Sequence, residues 1–221
     1  MAERQFAPDT PELRAEWGNF AWTKANAAAA AEIVSRYPAG RQASASIPFL
    51  DLAQRQVGEM TGTQGWLPVP VIEFVARELD MPAMRVMEVA SFYTMFNLAP
   101  VGKFHVQVCG TTPCMLRGSD DVLAACYKRG MTKGGTTADG MFTLSEVECL
   151  GSCANAPMVQ INDDNYEDLT EESMGAILDA LAAGQETRPG PQIDRVSSCP
   201  EGGPTTLKKM AERNYDYRGQ W

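Results

Sequence analysis

The sequence predicts a mixed α/β protein in three parts: an N-terminal helical bundle over residues 1–98, a compact α/β sandwich over 99–185, and an extended tail over 186–221. Three observations predict it. Up to about residue 97 the apolar residues recur at helical spacing. Near Pro100 that spacing gives way to the two-residue alternation of strands. From Glu186 onward Pro and Gly become frequent, which breaks regular structure.

In the first part, Ala30, Ile33, Val34 and Tyr37 follow i, i+3, i+4, i+7, one face of a helix that Pro38 and Gly40 end. Ser46 is placed to cap a second helix, with Pro48 in its first turn and Phe49, Leu52, Ala53 and Val57 on its apolar face. TGTQGWLP reads as a loop. A third helix starts near Pro70 and carries Val71, Ile72, Val75 and Leu79. Pro82 opens a fourth, with Val86, Val89, Ala90 and Tyr93 along one side. Short helices with short connections predict a compact bundle.

In the second part, KFHVQVCG alternates Phe104, Val106 and Val108 against His105 and Gln107. A helix is expected from about Pro113 to Tyr127, then a strand in MFTLSEVEC. MVQIN and YEDL flank the polar turn Asp163-Asp164-Asn165, the pattern of a hairpin. Thr170 can cap a last helix, with Glu171 and Glu172 in its positive first turn. That helix carries Met174, Ile177, Leu178 and Leu181 and stops at Gly184. The order β-α-β-β-β-α is that of a sandwich of thioredoxin type.

At 221 residues the chain has room for one or two domains, and 44% hydrophobic residues suffice for a packed core. The net charge of −9 argues against nucleic acid and anionic lipid as partners, since both require a basic surface. No apolar run approaches the roughly 18–20 residues that span a bilayer, so direct membrane insertion is not expected. Glu3, Asp9 and Glu12 speak against a presequence. The expected location is cytoplasmic, or the matrix side if the protein is organellar.

Six cysteines are too few for a disulfide scaffold in a chain of this length and point to metal or redox chemistry. Four stand out. Cys109 and Cys114 form a C-x4-C pair, and Cys149 and Cys153 a C-x3-C pair, with 34 residues between Cys114 and Cys149. Each pair follows a predicted strand. Four thiolates suit zinc or an iron–sulfur cluster. Neither pair is the tight C-x2-C knuckle of structural zinc, and the wider spacings favour two irons, one per pair. Zinc and plain thiols stay open on spacing alone. Pro113 fits the first turn of the following helix, and Thr111 or Thr112 can cap it.

The remaining candidates have plainer readings. Cys126 is expected to be a buried packing thiol within a helix, and Cys199 an inert free thiol in the tail. His105, the only histidine, cannot make a Rieske site, which needs two. The acidic run 163–172 lacks EF-hand spacing and reads as a turn and a helix start. Phe92, Tyr93 and Phe96 are expected as core aromatics. No G-x-G-x-x-G follows a strand, so no nucleotide site is expected here.

CGTTPCMLRGS, TLSEVECLGSCANAPMVQINDDNYEDLT and ASFYTMFNLAPVGK closely resemble the small thioredoxin-like [2Fe–2S] subunit of respiratory complex I, the 24 kDa subunit type. The resemblance covers roughly residues 35 to 205. It implies one [2Fe–2S] cluster held by Cys109, Cys114, Cys149 and Cys153. It implies electron transfer as part of NADH:quinone oxidoreductase, with NADH and FMN bound only by a partner flavoprotein. It places the chain peripherally on the cytoplasmic side of the inner membrane, among other subunits of the complex. The same subunit type in an NAD-linked hydrogenase or formate dehydrogenase, or a free thioredoxin-like ferredoxin, is the alternative. Leu207, Tyr215, Tyr217 and Trp221 are the expected apolar anchors of the tail on a partner.

Overall fold

The computed structural model describes residues 5–200, 202–203 and 205–206. The expected tail anchors Leu207, Tyr215, Tyr217 and Trp221 lie outside the described residues. The chain divides into two compact units. One comprises the chain up to Val106 with Met131–Ser145, and the other Gln107–Gly130 with the chain from Glu146 onward. The boundary falls inside two strands, β1 (Phe104–Cys109) and β2 (Phe142–Val147).

The first unit is built on five helices: α1 (Pro11–Trp17), α2 (Lys24–Ser35), α3 (Ser46–Thr61), α4 (Val69–Glu78) and α5 (Ala83–Phe92). Helix α1 is not foreseen by apolar spacing, because seven residues are too few to show a period. Its start is fixed by Thr10, whose hydroxyl accepts from the Leu13 N–H at 3.2 Å. Ser46 does not cap α3. A 3-10 turn, Gln42–Ala45, runs into the helix, and the Ser46 N–H bonds to the Ala43 carbonyl. The turn already satisfies an end group that a cap would serve, and Ser46 is buried as the first helical residue.

Helix α3 packs against α2, α4 and α5. The core joins Phe49, Leu50 and Val57 to Val71, Ile72 and Val75, with Val86 and Phe96. Phe20, Trp22, Phe49 and Phe74 form a chain of edge-on ring contacts at 5.1–5.8 Å. Two buried polar side chains of α3 organise the loops around it. Gln56 accepts from the Thr23 N–H and the Asn26 side chain and donates to the Ala21 carbonyl, which docks the start of α2. Gln54 accepts from the Asn97 N–H at 2.7 Å and donates to the Met95 carbonyl at 3.2 Å. Asn97 in turn donates to the Gly65 carbonyl.

Those bonds correct one expectation. Only Phe96 enters the core, 1% exposed, while Phe92 is 77% and Tyr93 39% exposed. Helix α5 ends at Phe92, Tyr93 turns to extended backbone, and the chain then reverses so that Phe96 alone points inward. His105 is also inward, so β1 is covered on both faces near its start rather than only on the Val106 side. Its Nε2 meets the Ser145 hydroxyl at 2.9 Å. Burial lowers its pKa to about 4, so it is neutral at physiological pH.

The five strands of the described residues form a sheet in the order β2-β1-β3-β4-β5. Strands β3 (Val159–Ile161) and β4 (Asp164–Glu167) are the expected hairpin, antiparallel with Val159 opposite Tyr166. The turn is Asn162-Asp163, one residue earlier than the sequence places it, with Asn162 at φ +56°. Asn tolerates that left-handed conformation better than most residues. The expected 113–127 helix is two helices, α6 (Thr112–Arg117) and α7 (Ser119–Tyr127), broken at Gly118 with φ +105°. Helix α8 (Glu171–Ala182) starts at Thr170 with a reciprocal capping box to Ser173. It packs on α7, burying Met174, Ile177, Leu178 and Leu181.

Past α8 the chain is tied back to this sheet. Strand β5 (Gly190–Pro191) pairs parallel with β4, Tyr166 opposite Gly190. Among the described residues, no helix is long and apolar enough to cross a membrane.

Candidate metal centre

All four candidate cysteines belong to the second unit. Cys109 is the last residue of β1 and is buried. Its N–H donates to the Met158 carbonyl at 3.3 Å, and the Gly110 N–H donates to the Val147 carbonyl at 3.1 Å. The strand end is thus pinned on both sides. Cys114 follows Pro113 in the first turn of α6 and is also buried. Cys149 and Cys153 are exposed, two residues past β2 and at the head of the 3-10 turn Cys153–Asn155.

The thiols come as two close pairs. The Cys149 and Cys153 sulfurs are 3.4 Å apart. The Gly151 N–H donates to the Cys149 sulfur at 3.4 Å, which the +91° φ of Gly151 permits. Cys109 and Cys114 also hydrogen-bond. Thr111 occupies the expected cap position of α6, but its hydroxyl lies 3.3 Å from the Cys109 sulfur and makes no cap bond. The same hydroxyl also helps bring the Cys149 thiol down, so one side chain acts on both pairs.

Protonation follows this pairing. Burial pushes Cys114 up to about 11, reinforced by its bond to Cys109. Burial acts on Cys109 too, but the hydroxyl and N–H of Thr111 and the N–H of Leu150 outweigh it and bring that thiol down. Cys149 is lowered by the Gly151 N–H and by Cys153, and Cys153 is raised by Cys149. Within each pair one thiol is thus brought down and its neighbour pushed up. The pairs also sense each other, since Cys109 acts on Cys149 and Cys153, and Cys153 on Cys114.

The donor set fits a thiolate-ligated cluster: four sulfurs, two by two, with N–H and O–H donors directed at the sulfurs. Among the described residues, no group of three or more His, Cys, Asp or Glu side chains closes as a set for one ion. Ala156, Met158 and Leu150 give the buried pair an apolar lining. Cys126 is fully buried within α7, where burial pushes its thiol up to about 12, an inert packing role. Cys199 is half-buried. Sequence reasoning missed Thr111 as a sulfur partner and Asn155, Asp168 and Arg195 as a hydrogen-bonded and charged cluster around the Cys153 turn, none of which sits in a recognisable spacing.

The family model of the thioredoxin-like [2Fe–2S] ferredoxin matches residues 30–182. An NADH-quinone oxidoreductase subunit of Rickettsia conorii is 58% identical over 164 residues, covering 74% of this chain and 95% of that protein. The corresponding NADH-quinone oxidoreductase subunit of Rhizobium meliloti is 49% identical over 212 residues, 94% of this chain and 73% of that protein. Among solved structures, an NAD+-reducing [NiFe]-hydrogenase in the H2-reduced state superposes with a TM-score of 0.50 at 16% identity. That match covers 61% of this chain and 22% of the hydrogenase chain, a likeness of fold alone. With the matched segment holding both cysteine pairs, this chain belongs to the thioredoxin-like [2Fe–2S] ferredoxin family.

Proposed function

We propose that the chain is the [2Fe–2S] electron-transfer subunit of an NADH:quinone oxidoreductase, with Cys109, Cys114, Cys149 and Cys153 as the cluster ligands. The observation that carries this is the convergence of two cysteine pairs on one unit, one pair buried and one exposed. Relatives at 49–58% identity are named as NADH-quinone oxidoreductase subunits, whereas the hydrogenase likeness rests on 16% identity. When bound, a [2Fe–2S] cluster accepts and releases single electrons.

The chain's own residues do the rest. Iron would be held by four thiolates, so its binding would release the thiol protons, those of Cys109 and Cys149 more readily than those of Cys114 and Cys153. Thr111 and the Gly151 N–H donate to the sulfurs, which favours added negative charge there. Leu150, Ala156 and Met158 keep water from the inner pair. The outer pair faces solvent, the side from which an electron-transfer partner has access.

The partner in this reading is a flavoprotein that binds NADH and FMN, inside a larger complex attached peripherally to the cytoplasmic side of the membrane. The affinity-tagged full chain is expected to bring down an FMN-containing flavoprotein in equimolar amount from detergent-solubilised membranes. Membranes from cells lacking the chain are expected to lose NADH–quinone reductase activity. Recovery of the chain as a lone coloured monomer, from cells whose membranes keep full activity without it, would overturn the reading.

A further inference from the structure

The chain between β5 and the end of the described residues folds back on the turn that carries Cys153. The Gln192 N–H donates to the Glu167 carbonyl at 2.9 Å, which continues the β4–β5 register. Arg195 then enters. Its Nη2 donates to the Ala154 carbonyl at 2.8 Å, the residue directly after Cys153. Its Nε lies 2.9 Å from Asp168 Oδ2, outside hydrogen-bond geometry, and both side chains are only 8% exposed, so the contact is a buried ion pair held by charge. Two residues on, the Ser197 carbonyl accepts from Asn155 Nδ2 at 2.9 Å. Asn155 also donates to Glu167, and its backbone carbonyl accepts from the Asp168 N–H at 2.7 Å. Residues 154, 155, 167, 168, 195 and 197 are thus one connected patch.

We infer that residues 192–197 form a strap that fixes the Cys153 turn, with Arg195 as its positioning residue for that cluster ligand. The inference rests on the ligand reading above. It adds a function to a segment beyond the 30–182 match of the family model. Cys153 sits in a three-residue 3-10 turn at the surface, too short to hold its own geometry. A buried ion pair is costly unless both charges are satisfied, so the pair is a weak source of stability but a strong constraint on position. The planar guanidinium faces two partners at once, the Asp168 carboxylate as an ion pair beside Nε and the Ala154 carbonyl as a hydrogen bond from Nη2, and a lysine ammonium on its flexible stem lacks that rigid two-sided reach.

The test uses the full chain, purified with and without reconstituted cluster. Arg195→Lys keeps the charge opposite Asp168, and Arg195→Met with Asp168→Asn removes both charges together, so neither variant leaves a buried charge alone. Both are expected to unfold at the wild-type temperature within a few degrees. Both are expected to lose iron to a chelator at least three-fold faster than wild type and to show an altered line shape in the EPR spectrum of the reduced cluster. In the cluster-free chain, amides at 150–155 are expected to exchange with deuterium faster in both variants. Wild-type iron release and line shape in both variants, with unchanged exchange, would overturn the strap. Faster exchange in chains that bind no iron, wild type included, would keep the strap and reject the ligand reading instead.

Discussion

Replacing any one of Cys109, Cys114, Cys149 or Cys153 by alanine is expected to take iron from about two atoms per chain to near zero, while Cys126→Ala and Cys199→Ala keep the full complement. The visible absorbance and the EPR signal of the reduced protein read the result. Each thiol of a pair has one close partner, and Thr111 acts on a thiol of each pair. Losing one sulfur leaves three ligands for two irons. The two pairs should differ in folding. Alanine at buried Cys109 or Cys114 also empties space beside Ala156 and Met158, costing about 1 kcal/mol beyond the lost metal. Alanine at exposed Cys149 or Cys153 costs the metal alone. Loss of the spectrum in Cys126→Ala with retention in Cys153→Ala would reverse the ligand assignment.

The second large effect lies in the helical unit. Gly65→Ala is expected to destabilise the protein by roughly 3 kcal/mol or more, a substantial share of the roughly 5–15 kcal/mol of a typical protein. Gly65 has φ +85°, and a Cβ there would sit 2.1 Å from the Gln54 carbonyl oxygen and 2.9 Å from the Gly58 nitrogen. Both are backbone atoms of α3, so no side chain can yield. The Gly65 carbonyl also holds Asn97, which Gln54 holds from the other side. Nearby Gly62 has φ +68° with nothing within 4 Å of a Cβ, so Gly62→Ala should cost only about 1 kcal/mol. Urea unfolding of the two variants reads the contrast, and equal midpoints would contradict it.

The parts of the fold carried by periodicity are legible in the sequence. The apolar faces of α3 and α4, the existence of strand β1 and the β3–β4 pair follow from residue spacing. Thr170 is legible as a cap because the motif is local, and the structure adds the reciprocal bond from Ser173. Ser46 is misread because the preceding 3-10 turn, which no propensity marks, already serves the helix start. Phe92 and Tyr93 read as core because aromatics usually are, and only the chain reversal after α5 separates them from Phe96.

The same limit applies at the site. Two cysteine spacings name the pairs, since ligands recur close in sequence. Thr111 is visible as a polar residue between ligands, but a cap and a sulfur partner look alike in one dimension. Asp168 and Arg195 are 27 positions apart in segments that read as a hairpin end and a loose tail. Only the β4–β5 pairing brings them together. Long-range electrostatic pairs of this kind leave no spacing to read.

The central claim is that the two cysteine pairs share one [2Fe–2S] cluster. Metal and acid-labile sulfide analysis of the anaerobically purified full chain tests it most directly. About two irons and about two sulfides per chain, with negligible zinc, are expected. One zinc per chain with neither iron nor sulfide would contradict the account.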